Sequence, residues 1–282
     1  MKISLGALAA RWNRSDSFAF YDAVALSSVD VVYVGIAVRG VQGGLQQRDC
    51  LAVARELSSG GKEVVLSVRA GADLPGSEDA HAWIEDCELP VEVGDARTFR
   101  LLAGKVPLVM GAGMPCASAV ELRRLVELGA RRRVMTAVCK GEVAQALACA
   151  VESRCEMELP VLSPRRFARW RCRVEACNYE GWPLHAMPGC DLAASPDETA
   201  PDWASDLDEL RRAGVGVLRV TPRDTGDIGL SQALCEWVRG DIDARAAYAE
   251  YAASPERSRV RVPGALHPWQ RSIFQRIYAR VR

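Results

Sequence analysis

Residues 1–35 restrict the fold more than any other stretch of the chain. Residues 2–5 alternate apolar and polar side chains before a glycine, while residues 29–34 form a β-branched run with no helical stripe. Between these stretches, apolar residues recur at helical spacing behind Ser15 or Asp16, either of which could cap the first turn. A strand, a helix and a strand in so short a segment predict a right-handed βαβ unit.

The same alternation continues along most of the chain. Strand-like stretches are expected at 63–68, 90–93, 106–110, 133–136, 156–162 and 215–220. Helical patterns are expected at 47–59, 77–87, 95–103, 116–129, 140–151, 207–213, 228–238 and 241–253. Such alternation is typical of a parallel sheet with helices outside it, and 282 residues with 49% apolar content can fill one such core. We therefore predict an α/β fold, an irregular TIM-type (β/α) barrel.

Two segments depart from the barrel pattern. Residues 163–204 hold arginines, aromatics, cysteines and a proline-rich acidic stretch, which predict a cysteine-containing excursion from a single barrel domain at 1–256. Residues 257–282 form a C-terminal arginine-aromatic tail with apolar residues at helical spacing. We expect this tail to be a helix that docks on the barrel or on a partner, in preference to nucleic acid.

Composition excludes several function classes. The 36 basic residues cancel the 36 acidic ones, so no overall field favours nucleic acid or an anionic membrane. The apolar stretches are shorter than the roughly twenty residues that a membrane span needs, and the first residues lack a long signal-peptide core. We expect a cytoplasmic protein with no membrane span, whose ten cysteines are reduced and act as core residues or as ligands.

Ordered motifs along the chain resemble the UbiV proteins, the anaerobic ubiquinone-biosynthesis branch of the collagenase-like peptidase family, a U-type peptidase family. The amino-terminal motifs are Met1-Lys2-x-Ser4-Leu5-Gly6, Phe20-Tyr21, Ser27-Ser28, Asp30-Val31 and Tyr33-x-Gly35. Later motifs are Gly60-Gly61-Lys62-x-Val64-Val65-Leu66-Ser67, Glu92-x-x-Asp95, Cys116-x-x-Ala119-Val120 and Arg219-x-x-Pro222. The order and spacing of these motifs, more than any one of them, carry the resemblance.

The resemblance implies a TIM-type barrel that holds a 4Fe-4S cluster. It also implies a heterodimer with a UbiU-like sister subunit, which hydroxylates the ring of a small aromatic or prenylated ubiquinone precursor without oxygen. The sequence contains no Ser-His-Asp arrangement and no His-Glu-x-x-His run. We therefore expect a hydroxylase subunit in preference to a peptidase.

The resemblance carries over two cluster ligands. Cys177 and Cys190 have the separation of two cluster cysteines in the corresponding excursion of UbiV proteins. The other two ligand positions hold Arg39 and Ala194, and neither side chain can bind iron. Two of the four ligands implied by the resemblance are therefore present.

Other metal states stay open. Cys172, Cys177, His185 and Cys190 form a C-x4-C-x7-H-x4-C set whose three sulfurs and one imidazole suit tetrahedral zinc. The spacing matches no zinc module closely, and long loops between ligands cost closure entropy only slowly. A residual iron–sulfur cluster, a zinc site and no metal at all are the three alternatives.

Two further residues are candidates for cofactor binding. Arg39 replaces a lost cluster ligand and could hold a carboxylate or phosphate with two hydrogen bonds, or it could be an ordinary surface residue. Asp95 follows the fourth strand, close to Glu92, where it could line the site or cap the next helix.

Three functions follow from these residues. The leading one is a UbiV-like subunit of anaerobic ubiquinone biosynthesis. The second is a non-catalytic scaffold, or a zinc-stabilised paralogue, that has lost the cluster. The third is an independent hydroxylase of another aromatic or of an RNA base, for which the tail arginines would contact substrate.

Overall fold

Eight parallel strands close into one barrel, in the order in which they occur along the chain. The structure, a computed structural model, describes residues 1–8, 12–35, 45–68, 84–114, 116, 118–135, 148–149, 151, 154–161, 203–222, 225–243 and 246–247. The last strand pairs with the first through a register that joins Lys2 to Val217 and Leu5 to Val220. The predicted TIM-type barrel is therefore confirmed.

The barrel strands alternate with helices. The strands are β1 (Lys2–Leu5), β2 (Val31–Gly35), β3 (Glu63–Val68), β4 (Val91–Val93), β5 (Leu108–Met110), β6 (Ala130–Val134), β7 (Glu156–Val161) and β8 (Val215–Val220). The helices described are α1 (Arg14–Leu26), α2 (Gln47–Ser59), α3 (Ala96–Leu102), α4 (Ala119–Glu127), α5 (Trp203–Arg212) and α6 (Gly226–Arg239). No helix in this part of the chain is long and apolar enough to cross a membrane.

Several predicted segments lie wholly or mostly outside the described residues. They are the helical patterns at 77–87, 140–151 and 241–253, the excursion at 163–204 and the tail at 257–282. Helix α5 begins at Trp203, inside the predicted end of the excursion. The division of the chain at residue 256 stays a prediction.

Helix α1 begins one residue after Asn13, not at the predicted cap. The Asn13 side chain accepts a hydrogen bond from the Asp16 backbone N–H at 2.8 Å, which satisfies one of the free donors of the first turn. The prediction of Ser15 or Asp16 as the cap is wrong because the helix already includes both residues.

A partly buried ion pair joins the first two helices. Arg14 donates from Nε and Nη2 to the two carboxylate oxygens of Asp49, each at 2.8 Å. Asp49 is fully buried and also accepts from the Gln46 backbone N–H at the start of α2. The pair therefore fixes α2 against α1 while it stabilises the first turn of α2.

Alternation along the strands separates two cores. Outward side chains such as Ile3, Leu5 and Val32 pack with Phe18 and Val24 of α1 in the larger core between strands and helices. A smaller apolar cluster fills part of the barrel interior, where its members are Val31, Tyr33, Val65, Val109 and Val134. Several other interior positions are polar, and these positions build the candidate site.

Strand β6 begins three residues before the stretch expected from the sequence and ends two residues before its end. The stretch 133–136 was predicted as the strand, whereas Ala130–Val134 forms it and includes three arginines. A register shift opposite Leu108 and Val109 leaves Arg131 exposed and turns Arg132 into the barrel. The prediction was wrong because a run of arginines has no apolar alternation, although carboxylates inside the barrel compensate Arg132.

The half-buried Asp22 on α1 provides a test of helix packing. Burial raises the pKa of Asp22 to about 6, and the nearby carboxylate of Glu56 adds to the rise. Because the ordinary pKa is 3.8, ionisation of Asp22 costs more free energy in the folded state than in the unfolded state. The stability that the protonated carboxyl contributes is therefore lost as pH rises from 4 through 6. We expect Asp22→Asn to raise the free energy of unfolding at pH 7 by about 1 kcal/mol, reduced by partial exposure.

Urea unfolding at a series of pH values measures this effect. Asp22→Asn should flatten the fall in stability between pH 4 and 7. Glu127→Gln, on the exposed face of α4, should show the same dependence of stability on pH as the wild type. An unchanged profile in Asp22→Asn would contradict the packing described for α1 and α2.

Candidate functional site

Charged side chains fill much of the barrel interior along its axis. Beside the smaller apolar cluster, the described strands direct a set of cations and carboxylates inward. Its members are Lys2, Arg132, Arg219, Glu63, Glu92, Glu156 and Glu158. Buried charges are costly unless they are paired and hydrogen-bonded, so the geometry of each pair matters.

Arg132 closes the end of the barrel where the strands begin. Its Nε and Nη2 atoms donate to Glu156 at 2.8 and 2.6 Å, and Nη2 also donates to Glu63 at 2.6 Å. Lys2 donates to Glu63 from the first position of β1 at 2.9 Å. These four residues form a polar floor, and most of the Arg132 donors are used within it.

Glu158 occupies the centre of the barrel and has no exposed surface. The Ser4 hydroxyl donates to Oε1 at 2.6 Å, and the Tyr33 hydroxyl donates to Oε2. Arg132 and Arg219 lie 3.7 and 4.0 Å from its oxygens, as ion pairs at longer range. Burial raises the pKa of Glu158, although the charge of Arg219 and both hydroxyl donors oppose the rise.

Arg219 and Glu92 form the uppermost polar layer, where the strands end. Arg219 donates to Glu92 from Nη1 at 2.6 Å and from Nη2 at 3.2 Å, a two-point pairing of guanidinium and carboxylate. The Ser67 hydroxyl donates to Oε2 of Glu92 at 2.6 Å. We call Ser67, Glu92 and Arg219 the upper cluster.

Tyr33 and Gly6 fix the position of the Arg219 side chain. The guanidinium carbon lies 4.1 Å from the centre of the Tyr33 ring, within the range of a cation–π contact. A Cβ atom at Gly6 would lie 2.8 Å from Nε of Arg219, so only glycine leaves room for this path. Burial and the charge of Glu158 raise the pKa of Tyr33 well above its ordinary value, which keeps the hydroxyl protonated.

The upper cluster lies at the end of the barrel that enzymes of this architecture use. Parallel strands bring all their carboxyl ends to one mouth, where loops supply ligand-binding residues. Arg39 follows β2 along the chain, and Cys172, Cys177, His185 and Cys190 follow β7. These five predicted site residues lie outside the described residues, so their contacts stay predictions.

Asp95, the sixth predicted site residue, caps helix α3. Its Oδ1 atom accepts from the backbone N–H groups of Arg97 and Thr98 at 2.9 and 2.8 Å, and Oδ2 accepts from the Thr98 hydroxyl at 2.9 Å. Glu92, three residues earlier, is the acid that turns into the barrel. The capping alternative accounts for these contacts of Asp95, and a cofactor role stays a prediction.

The described cysteines lie mainly in the packed core. The Cys50 thiol donates to the Gly35 carbonyl at 3.0 Å, and burial raises the pKa of Cys155 and of Cys235 to about 12. Raised pKa values keep these thiols protonated at neutral pH, as expected of structural cysteines. Within the described ranges, no group of three or more His, Cys, Asp or Glu side chains could hold a metal ion.

Sequence reasoning did not identify the polar interior. Glu156 and Glu158 alternate with Met157 and Leu159, and Arg219 stands between two buried aliphatic residues. A charged residue at every second position of a buried strand is the available signal, because alternate side chains share one face. This signal could have placed Glu158 and Arg219 on the barrel axis, but not their partners.

Comparisons with known proteins give fold-level similarities. No family model matches the chain. A structure described as native KDPGal is similar at 12% identity and a TM-score of 0.49, over 89% of this chain and 95% of that chain. The U32 peptidase Mk0906 is similar at 14% identity and a TM-score of 0.46, over 79% and 94% of the two chains. Tryptophan synthase from M. tuberculosis is similar at 15% identity and a TM-score of 0.47, over 89% and 91%.

These similarities carry no conclusion about family or activity. Their identities and TM-scores are low, and one fold serves many different functions. The barrel itself is established by the strand pairing of this chain.

Gly6→Ala tests the close approach of Arg219. The added methyl group would collide with Nε and push the guanidinium away from Tyr33 and Glu92, so we expect a loss of about 1–3 kcal/mol in the free energy of unfolding. Gly229→Ala in α6 is the matched control, since its Cβ would meet nothing within 4 Å. That variant should be neutral or stabilising by up to about 1 kcal/mol. Equal urea midpoints for the two variants would contradict the described position of Arg219.

Proposed function

We propose that this chain is a UbiV-like subunit of oxygen-independent ubiquinone biosynthesis. It would assist ring hydroxylation of a small aromatic or prenylated precursor, as one half of a heterodimer with a UbiU-like partner in the cytosol. One observation carries the proposal: residues from separate resemblance motifs converge in the upper half of the barrel.

The convergence spans most of the chain. Ser4 and Gly6 come from the first motif, and Tyr33 comes from the motif at the end of β2. The later motifs supply Ser67, Glu92 and Arg219, which are the upper cluster. These side chains contact one another or share Glu158 as a partner, although no short stretch of sequence requires this. The motifs therefore supply the residues of one polar centre, in addition to residues of the barrel strands.

In this function, the barrel would hold the polar side chains of its upper half in fixed positions. The hydroxyl and guanidinium donors of the upper half are held by carboxylates, and β2 and β7 end at the mouth around them. We propose that the loop after β7 supplies Cys177 and Cys190 to a 4Fe-4S cluster, and that Arg39 lies beside a cofactor or substrate anion. The protein would act as a hydroxylase subunit and not as a peptidase.

A scaffold without a cluster is the second candidate. The pairing of Arg219 with Glu92 and Ser67 favours it, because a polar network whose members satisfy one another can serve packing alone. Zinc held by Cys172, Cys177, His185 and Cys190 would give such a scaffold a structural site. Metal analysis distinguishes these alternatives.

Metal and sulfide content decides between the candidates. The protein is purified and reconstituted without oxygen, and iron, zinc and acid-labile sulfide are measured together with the visible absorption spectrum. We expect about four irons and four sulfides per chain, which a Cys177→Ala, Cys190→Ala double variant should lose. Cys149→Ala, at an exposed cysteine outside the proposed ligands, is the control and should retain the metal.

Two other outcomes of the metal analysis would favour different candidates. Zinc that is lost in the double variant would support the zinc-stabilised scaffold, and the absence of metal in wild type would exclude the cluster. Co-expression with a cluster-bearing UbiU-like homologue then tests the partner. A stable complex in gel filtration is expected, and separate elution at micromolar concentrations would contradict the heterodimer.

A further inference from the structure

Arg133 differs from the two arginines inside the barrel in the partners that the described chain gives it. Arg132 and Arg219 each pair with a carboxylate at 2.6 Å. Arg133 is only 6% exposed, yet it forms no ion pair with any described residue. Its Nη1 and Nη2 atoms both donate to the Met114 carbonyl oxygen, at a long 3.3 Å. A buried cation without a counter-charge is costly, so this guanidinium is suited to an anion from outside the described chain.

The guanidinium lies on the outer face of the barrel wall, near the mouth. Arg132 and Val134 point into the barrel, so Arg133 between them points outward. Met114 belongs to the segment that follows β5, and the carboxyl end of β5 faces the mouth. The site is therefore separate from the upper cluster, although it lies at the same end of the barrel.

One edge of the Arg133 guanidinium is open. Its Nε atom has no hydrogen-bond partner among the described residues. In the same part of the chain, Nε1 of Trp12 is the single fully buried side-chain nitrogen or oxygen that lacks a partner. Nε of Arg133 is therefore in contact with solvent, and the Nε–Nη2 edge can receive two oxygens of one ligand.

Two thiols lie near the Arg133 charge and cannot neutralise it. Burial raises the pKa of Cys116, and it raises the pKa of Cys155 to about 12, although Arg133 opposes both rises. Both thiols are therefore protonated at neutral pH and carry no negative charge. Glu121 also acts on the Cys116 thiol, but from an exposed position on α4 and without an ion pair to Arg133. Cys116 is the half-buried member of the pair, so it can report on the site.

We propose that Arg133 binds a small oxyanion, the carboxylate or phosphate group of a ligand, beneath the segment that follows β5 and beside Cys116. This inference goes beyond the proposed function, since it involves neither the cluster nor a partner subunit. The open edge of the guanidinium donates two charge-assisted hydrogen bonds to the oxyanion, and no covalent bond forms.

Burial limits the size of what can reach Arg133. The residue is 6% exposed, and Met114, whose carbonyl it contacts, is 3% exposed. Only a compact anionic group can therefore touch the guanidinium, and a larger ligand must present such a group at one end. The planar fork of donors matches two oxygens of one carboxylate or phosphate, whereas a chloride ion offers a single centre.

Thermal unfolding with added anions tests the proposal. Tm is measured in Tris chloride buffer with sodium phosphate, sodium acetate or sodium chloride at equal ionic strength. At about ten times its Kd, the oxyanion that binds should raise Tm by about 3–5 °C, because it stabilises the folded state alone. Phosphate also strengthens apolar burial in general, so the specific effect is the difference between wild type and the Arg133 variants.

Three variants make the test specific. Arg133→Met should lose the specific rise in Tm, and without added oxyanion it should be at least as stable as wild type, because no ion pair is broken. Arg133→Lys should retain only part of the rise, since lysine lacks the two-point geometry. Arg131→Met, at the exposed neighbour on the same strand, is the matched control and should respond to each anion as wild type does.

Alkylation of Cys116 by iodoacetamide gives a second measurement on wild type. Mass spectrometry follows each cysteine separately. A bound oxyanion beside Cys116 should slow its alkylation, by up to about tenfold at ten times Kd. The exposed Cys149 is the internal control, and its rate should not change. The anion should have no effect on Cys116 in Arg133→Met.

Three results would overturn the proposal. The first is a rise in Tm with phosphate or acetate that is equal in wild type and in Arg133→Met. The second is a Cys116 alkylation rate that neither anion changes. The third is a large loss of stability in Arg133→Met without added anion, which would show that the chain itself supplies a carboxylate to Arg133. Cys116 is not among the proposed metal ligands, so this proposal and the proposed function can fail separately.

Discussion

The structure depends on compensation of Glu158 inside the barrel. This carboxylate has no exposed surface, and its hydrogen-bond donors and cations come from β1, β2, β6 and β8. An isolated buried carboxylate costs several kcal/mol, so the folded state requires these strands to be in position together. Closure of the β1–β8 edge is therefore coupled to electrostatic compensation as well as to backbone hydrogen bonds.

A polar interior also defines the strand register. A slip of one residue in β7 would turn Glu156 and Glu158 into the apolar outer core and leave Arg132 without these carboxylates. Aliphatic layers would tolerate such a slip more easily, because one branched side chain replaces another at modest cost. The ion pairs therefore contribute conformational specificity at the expense of desolvation, and the aliphatic contacts between strands and helices provide most of the favourable burial.

Local patterns were sufficient for much of the fold and for little of the site. Helix α2 and strand β3 have the predicted bounds, since an amphipathic helix that ends at two glycines and a β-branched run are strong local signals. Strand β6 was misplaced because its arginines are compensated by residues far away in sequence. Glu158 and Arg219 were not identified as site residues for the same reason, since the closure of the barrel, and not their neighbours, brings Ser4, Tyr33 and Glu92 to them.

The two ends of the interior differ in how their charges are used. In the floor, Arg132 binds Glu63 and Glu156 while Lys2 supplies a second cation, so the pairs compensate one another. In the upper half, Arg219 serves both Glu92 and Glu158, and the hydroxyls of Ser4 and Tyr33 complete the compensation without adding charge. Neutral hydroxyl donors therefore satisfy part of the Glu158 carboxylate where no further cation is in direct contact with it.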